Sequence, residues 1–399
     1  VLKNKRIVLG VTGSIAAYKA AELASKLTQT GAKVTAVMTE EAMRFISPVT
    51  FRAITGRPVV TEMFDLASEF SVEHVSLAGA ADIVVIAPAT ANIIAKLAVG
   101  IADDMLGCTV LATRAPVLIA PAMESNMYHN PVTQDNLSKL KARDFVIIPP
   151  ATGWLASGRQ GPGRLADIGD IIGSICQVLG RNGDFAGRHI VVTAGGTHEP
   201  IDPVRYIANR SSGKMGYAVA EAARDRGARV TLVAAPTALP EPVGIDVVQV
   251  ATAEEMRQAV TAAILQTDAL IMAAAVADYR PKNTAEEKVK KGKAGLKLPL
   301  ECTPDILGTV KGNFIKVGFA AESSDLEENA REKLKQKKLD LIVANDITAS
   351  DSGFGTDTNR VTIIGRNGKT DKLPLLSKRE VADKVLDRVA GLLAKPRAR

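Results

Sequence analysis

A chain of 399 residues is long for a single hydrophobic core, so two domains are the expectation. Hydrophobic residues make up 46% and aromatics only 4%, which suits Ala/Val/Ile-rich α/β layers better than a β-sandwich. The net charge of +7 gathers between Lys282 and Lys297 and from Arg331 to Lys338, without the interleaved aromatics of a single-strand binding face; that argues against a nucleic-acid partner and fits a small phosphorylated ligand or plain solvated surface.

In chain order, the continuous apolar runs 6–11, 33–38, 82–87, 117–120 and 145–148 read as buried strands, with amphipathic stretches such as 16–30 between them. Alternation of this kind indicates a parallel sheet covered on both faces, whose ligands sit beyond the carboxyl ends of the strands. The turn after the first strand is Gly10-Val11-Thr12-Gly13-Ser14-Ile15-Ala16; glycine admits a close backbone approach, and Ser14 can cap the next helix or hold a phosphate oxygen. By itself that turn is a weak signal. Thr39 closes the second strand, Ala87-Pro88-Ala89-Thr90 follows the third, and Pro121-Ala122-Met123 follows the fourth, with Lys96 and the segment 100–106 between.

Together these segments resemble the flavin-containing cysteine decarboxylases over residues 5–179. The resemblance implies a homo-oligomeric, flavodoxin-like domain that binds FMN at a subunit interface, with Gly13, Ser14, Ile15, Thr39, Ala89, Thr90 and Met123 as cofactor contacts. It also implies that His74 acts as base or orients substrate, whereas a lone His beside an apolar helix otherwise reads as a packing or capping residue. A cysteine amide carboxylate has no electron sink of its own. The route implied is oxidation of the thiol to a thioaldehyde, loss of CO2 and return of the hydride, with no net redox change.

Two positions depart from that family's pattern. Where it has Pro-x-Met-Asn, this chain has Pro121-Ala122-Met123-Glu124-Ser125-Asn126; an ionised Glu124 about 4 Å from the substrate carboxylate would cost on the order of 4 kcal/mol. The expectation is that Glu124 is protonated or turned away and that Asn126 supplies the amide. In Leu155-Ala156-Ser157-Gly158, Ser157 replaces the cysteine that donates the last proton, and a well-matched general acid is worth roughly 10²–10⁴-fold.

A helical pattern at 168–179 and the polar, Gly-rich stretch 180–184 lead into a second α/β series, with strands expected at 189–193, 229–233, 247–250, 269–273, 315–319 and 339–343. The loop after the first of these runs from Thr193 to Gly216 and is crowded with Gly196, Arg205, Asn209, Ser211, Ser212 and Lys214; the helix expected from Lys214 offers free N–H groups to an anion. It is neither a Walker loop nor a dinucleotide fingerprint. Later strand ends carry Ala275 and Asp278, then Lys288 in a flap, Pro304-Asp305-Ile306-Leu307, Phe319, and a helix at 326–338 presenting Lys333 and Lys337 on one face.

This string closely resembles phosphopantothenate–cysteine ligase over residues 187–392. The resemblance implies that CTP activates the carboxylate of 4′-phosphopantothenate as an acyl-cytidylate and that L-cysteine displaces CMP. Asn209 would assist the conversion of that acyl-cytidylate, the other residues named would bind nucleotide or substrate, and Asp278 would share Mg2+. The whole is similar to the bifunctional decarboxylase/ligase family of coenzyme A biosynthesis. The fold expected is α/β with two doubly wound domains: flavodoxin-like over 1–180, a linker at 181–186, and Rossmann-like over 187–399. A dodecamer built on trimers of the first half, with ligase-domain dimers, is the implied assembly. The alternative is an active ligase whose FMN-binding half serves only as a scaffold. Cys108, Cys176 and Cys302 are too few for a disulfide framework, and neither a secretory signal nor a bilayer-spanning stretch is read, so a cytoplasmic, soluble protein is expected.

Overall fold

The computed structural model describes residues 1–63, 73–291, 296–322, 325–346, 353 and 355–394. Ser71 and Val72 before His74, Lys293 of the basic stretch, and the side chains of Glu322 and Asp346 lie outside the described residues. The chain divides into two compact units, Val1–Leu179 and Gly180–Arg399.

In the first unit, β1 (Arg6–Val11), β2 (Lys33–Met38), β3 (Ile83–Ala89), β4 (Val117–Pro121) and β5 (Val146–Ile147) form one parallel sheet in the order β2-β1-β3-β4-β5, the flavodoxin-like order. Alternate residues of β1 feed opposite faces: Ile7, Leu9 and Val11 join one buried cluster, Val8 the other. The helix Ala17–Gln29 buries Ala17, Ala20, Leu23, Ala24 and Leu27, a spacing that lays a single stripe on the sheet. A hairpin of β6 (Ala151–Trp154) and β7 (Gln160–Arg164), not foreseen from the apolar pattern, stands outside the sheet.

The second unit contains β8 (His189–Ala194), the small pair β9 (His198–Pro200) and β10 (Tyr206–Ala208), then β11 (Arg229–Ala234), β12 (Asp246–Gln249) and β13 (Ala269–Met272). The hairpin of β14 (Tyr279–Pro281) and β15 (Leu300–Cys302) precedes β16 (Ile315–Glu322) and β17 (Leu341–Asp346). The chain closes with β18 (Thr358–Asn359), β19 (Val361–Gly365), β20 (Thr370–Lys372) and β21 (Leu376–Ser377). The main sheet runs β12-β11-β8-β13-β16-β17-β19-β20. Its six parallel strands, counted along the chain, stand in the Rossmann order 3-2-1-4-5-6, and β19 and β20 extend it antiparallel.

Strand ends differ from the sequence expectation by a residue or two, and the last parallel strand starts at Leu341 rather than 339. The cause is local: Lys338 has φ 51°, and the Leu339 N–H still closes on the Leu334 carbonyl at 2.9 Å, so the chain leaves the helix Leu326–Gln336 before it can extend. Residues 181–186, expected as a linker, pack on the second unit. Phe185 is fully buried in its core, and Arg226 Nε donates to Asp184 Oδ1 at 2.9 Å.

Candidate functional sites

In the first unit a cavity of about 620 Å³ opens beyond the carboxyl ends of β1, β3 and β4. Thr12, buried behind it, ties two of these loops together: its Oγ1 donates to the Pro88 carbonyl at 2.8 Å and accepts from the Thr90 N–H at 3.1 Å. Thr90 Oγ1 in turn accepts from Ile93 N–H at 3.3 Å and caps the helix Ala91–Val99. The Met123 N–H reaches the Gly163 carbonyl at 3.0 Å, which docks the β6–β7 hairpin over the loop after β4. Only glycine fits at 163, since a Cβ there would stand 2.2 Å from the Met123 carbonyl oxygen.

Of the residues expected here, Gly13, Ser14, Ile15, Thr90, Met123, Glu124 and Ser157 line the cavity. Thr39, Ala89, Asn126 and His74 do not. Thr39 Oγ1 is taken by the Ala42 N–H at 3.3 Å as a helix cap, and Ala89 is fully buried inside β3. His74 lies on the helix Glu73–Ala80, away from the lining. Lys96 is held by Asp103 at 2.8 Å, which raises its pKa.

Glu124 is not turned away. Its Oε2 accepts from the Asn126 N–H at 2.6 Å, capping the short helix Ser125–His129, and its Oε1 is buried without a hydrogen-bond partner. Asn126 is exposed, and the described contact engages only its backbone, so the amide expected from it is not in the cavity. Tyr18, Met127 and Trp154, missed from the sequence, complete an apolar wall; Trp154 is 71% exposed at its edge.

In the second unit a cavity of about 680 Å³ lies beyond β8, β13, β16 and β17, at the point where the strand order reverses. Two fully buried threonines lace its floor: Thr193 Oγ1 accepts from the Ala274 N–H at 3.1 Å, and Thr197 Oγ1 from the Ala277 N–H at 2.9 Å. Gly213, with φ 75°, is the N-cap residue of the helix Lys214–Arg224, whose first N–H groups open toward the cavity. Asn209 is oriented by its Nδ2, which donates to the Val276 carbonyl at 3.1 Å. Lys214 Nζ pairs with Asp357 Oδ1 at 2.7 Å and holds that carboxyl below the usual range. Lys337 Nζ meets Asp305 Oδ1 at 3.1 Å.

The structure gathers Asn209, Ser211, Ser212, Lys214, Ala275, Asp278, Pro304, Asp305, Ile306, Leu307, Phe319, Lys333 and Lys337 around this one cavity. Gly196, Arg205 and Lys288 stand outside its lining. Gly196 bridges to Ala275, and a Cβ on it would come 2.8 Å from the Asn209 carbonyl oxygen, so it shapes the floor. Arg205 is engaged by Asp202, a 3% exposed carboxylate that accepts its Nε at 3.0 Å. The same two residues clamp the flap that carries Lys288: Val289 N–H donates to Asp202 Oδ2 at 3.1 Å, and Arg205 Nη2 donates to the Val289 carbonyl at 2.6 Å.

Asn345, Asn359 and Lys378 also line the cavity. Asn345 was visible as a strand end, but Asn359 lies on β18 outside the main sheet and Lys378 opens the helix Lys378–Leu393, isolated polar residues with no motif to announce them. Among the described residues no group of three or more His, Cys, Asp or Glu stands together as a metal site, and no helix is long and apolar enough to cross a membrane.

Residues 1–180 match the flavoprotein family, and residues 185–393 match the family described as DNA/pantothenate metabolism flavoprotein C-terminal domain. The chain is 46% identical over 397 residues to coenzyme A biosynthesis bifunctional protein CoaBC of Bacillus subtilis (strain 168), spanning 98% of each. Its identity to the protein of that name from Escherichia coli (strain K12) is 44% over 392 residues, 96% of each. The crystal structure of the C-terminal domain of a coenzyme A biosynthesis bifunctional protein CoaBC is 42% identical, covers 53% of this chain and 98% of that one, and gives a TM-score of 0.46.

Proposed function

The chain belongs to the family of bifunctional coenzyme A biosynthesis proteins and is an enzyme with both a decarboxylase and a ligase activity; on that premise we propose that its C-terminal unit joins 4′-phosphopantothenate to L-cysteine with CTP, and that its N-terminal unit decarboxylates the product to 4′-phosphopantetheine. The scaffold-only alternative for the first half is not favoured, because the relatives matched over nearly the full chain are bifunctional by name.

One observation carries the ligase assignment: a helix N-terminus, cations and an oriented amide converge on one cavity at the switch point of a Rossmann sheet. Ser211, Ser212 and the N–H groups behind Gly213 hold phosphate oxygens, while Pro304 to Leu307, Phe319, Lys333 and Lys337 surround the base and its sugar. The substrate carboxylate attacks the α-phosphorus, pyrophosphate leaves, and Asn209 stands beside the resulting acyl group. Asp278, which lines the cavity, would hold Mg2+; among the described residues no cluster of ligands stands beside it, so the nucleotide phosphates would supply oxygens to the ion. Arg205 and Lys288 act from the rim, Arg205 by fixing the flap and Lys288 by reaching the phosphates from it.

The first cavity fits FMN. Ser14 and Thr90 offer hydroxyls at strand ends, Ile15, Met123 and Met127 offer an apolar wall, and Glu124 Oε1 is a buried acceptor awaiting a donor. FMN, when bound, supplies the reversible oxidation that gives the departing carboxylate its electron sink. Within that site Met123 and Ile15 pack the ligand, and Ser157 lines the cavity where the family's proton-donating cysteine would stand, so either it, a weak acid, or another group or water gives the last proton. His74 lies off its own chain's cavity, which supports a site shared between subunits, and the exposed Ile15, Tyr18 and Trp154 at the cavity give such a partner an apolar surface. We infer a trimer-based dodecamer with ligase-domain pairs. Cys108, Cys176 and Cys302 form no disulfide among the described residues, which supports a cytoplasmic setting.

The assignment is tested by purifying the protein, identifying its bound chromophore by mass, and measuring pyrophosphate release from CTP with and without 4′-phosphopantothenate. A flavin-free protein, or CTP turnover indifferent to the acid, would refute it.

A further inference from the structure

One corner of the C-terminal cavity is built for something other than phosphate. Asn359 on β18 is 2% exposed, lines the cavity, and its Oδ1 has no hydrogen-bond partner among the described residues. Asn345 at the end of β17 lines the same cavity, and its Oδ1 is likewise buried and unpartnered. Asn345 stands opposite Val361 at the end of the antiparallel pair, and Asn359 lies two residues before Val361, so the two amides reach the cavity from adjoining strand ends. Buried amide oxygens are seldom left without a donor, and phosphate groups have none to give.

The cations of this corner narrow the ligand further. Lys378, 7% exposed at the start of the helix Lys378–Leu393, donates to the carbonyls of Gly353 (3.2 Å) and Thr356, which leaves one of its three N–H groups over. Burial, and after it the charge of Lys214, push the Lys378 ammonium's pKa down against the opposing pull of Asp357. Two ammoniums stand here against the carboxylate of Asp357, which holds Lys214 at 2.7 Å, and that positive balance disfavours a bare divalent cation on the asparagine oxygens. The complement of two acceptors beside these cations is a molecule with an ammonium and a carboxylate on one carbon.

We propose that Asn345, Asn359, Lys378 and Lys214 form the subsite for the α-amino acid co-substrate, the asparagine carbonyls taking its ammonium and the lysines its carboxylate. This rests on the ligase reading above. In the step served, the amine nitrogen bonds to the acyl carbon as the acyl C–O bond to the nucleotide phosphate breaks. CMP leaves with the electron pair, and the two protons that the ammonium loses in becoming an amide N–H pass to solvent. Asn209 lines the same cavity, so donor and acceptor share one chamber.

The test uses the full-length enzyme. Pyrophosphate release from CTP and 4′-phosphopantothenate without any cysteine reports the ligase reading alone; its absence in the wild type overturns that reading and the subsite with it. With that half-reaction present, the wild type should use cysteamine, which lacks the carboxylate, with kcat/KM at least about tenfold below that for L-cysteine. Equal use of the two amines overturns the subsite while leaving the ligase reading standing, and this arm needs no variant that must fold. Asn359→Ala should raise KM for cysteine by about tenfold more than it raises KM for CTP. A rise confined to CTP, or a shift confined to the Mg2+ requirement, assigns the corner to nucleotide or metal and overturns the proposal.

Discussion

Gly213 and Gly187 form a matched pair that isolates what the anion-binding turn contributes. Both have φ 75° in the same unit, so an alanine at either must adopt the left-handed region, at a cost of about 1–2 kcal/mol. Their surroundings differ. A Cβ at Gly187 meets nothing within 4 Å, whereas one at Gly213 would stand 2.6 Å from Thr237 Cγ2 and 3.4 Å from the Gly195 nitrogen. Thr237 Oγ1 is engaged by the Leu239 N–H at 3.1 Å, so relief must come largely from the Gly213 backbone, which carries Lys214 and the first free N–H groups of its helix. Moving that terminus weakens the anion interaction, worth about 0.3–2 kcal/mol. Both alanine variants should therefore lower the Tm of the C-terminal unit by about 2–8 °C. Only Gly213→Ala should raise KM for CTP, by about 3- to 10-fold, in a pyrophosphate-release assay. If the two variants melt alike and also bind CTP alike, the Gly213 turn does not position the phosphate site and the reasoning fails.

Three further outcomes are expected. Ser157→Cys restores a stronger acid at the hairpin and should raise the rate of the final reduction by at least about tenfold, seen as less enethiol among the products by mass; an unchanged product ratio would mean that another group gives the proton. Glu124→Gln keeps an oxygen for the Asn126 N–H and puts an amide that cannot ionise in the cavity, so KM for the decarboxylase substrate should not rise; a rise would show that the carboxylate itself is used. Asp202 has its carboxyl held well below the ordinary range, chiefly by the Arg205 guanidinium, with burial opposing and the Val204, Val289 and Arg205 amides assisting. Because its folded value is depressed, its contribution is complete above the unfolded value and fades as the pH falls below about 4. Thermal melts should thus show an acid-side loss that is shallower in Asp202→Asn, with both proteins flat near neutrality; a variant slope as steep as wild type would place the acid sensitivity elsewhere.

The buried parallel strands were the most legible part of the chain. Arg6–Val11 and Lys33–Met38 were bounded by apolar periodicity alone, because strands covered on both faces read as continuous runs. The loops that follow them were legible for the same topological reason, and thirteen ligase positions named from sequence do meet at one cavity. The failures are equally physical. Arg205 looked like a substrate cation, but a carboxylate three residues away claims it, and no sequence pattern shows which partner a guanidinium takes. Thr39 carried a hydroxyl at a strand end and uses it on a helix cap. Asn126 seemed a ready replacement for a missing amide, yet its neighbour Glu124 occupies the cavity and caps the turn with the same carboxylate. Asn359 and Lys378 went unseen because β18 and β21 are two-residue strands, giving no period to read, and Lys378 opens the helix that follows β21.

The most direct test of the whole account is a single incubation of the full-length protein with 4′-phosphopantothenate, L-cysteine, CTP and Mg2+, with products identified by mass over time. The account predicts CMP and pyrophosphate, transient 4′-phosphopantothenoylcysteine and accumulating 4′-phosphopantetheine. Accumulation of the cysteine conjugate alone would contradict the decarboxylase half, and CTP left intact beside unreacted cysteine would contradict the ligase half.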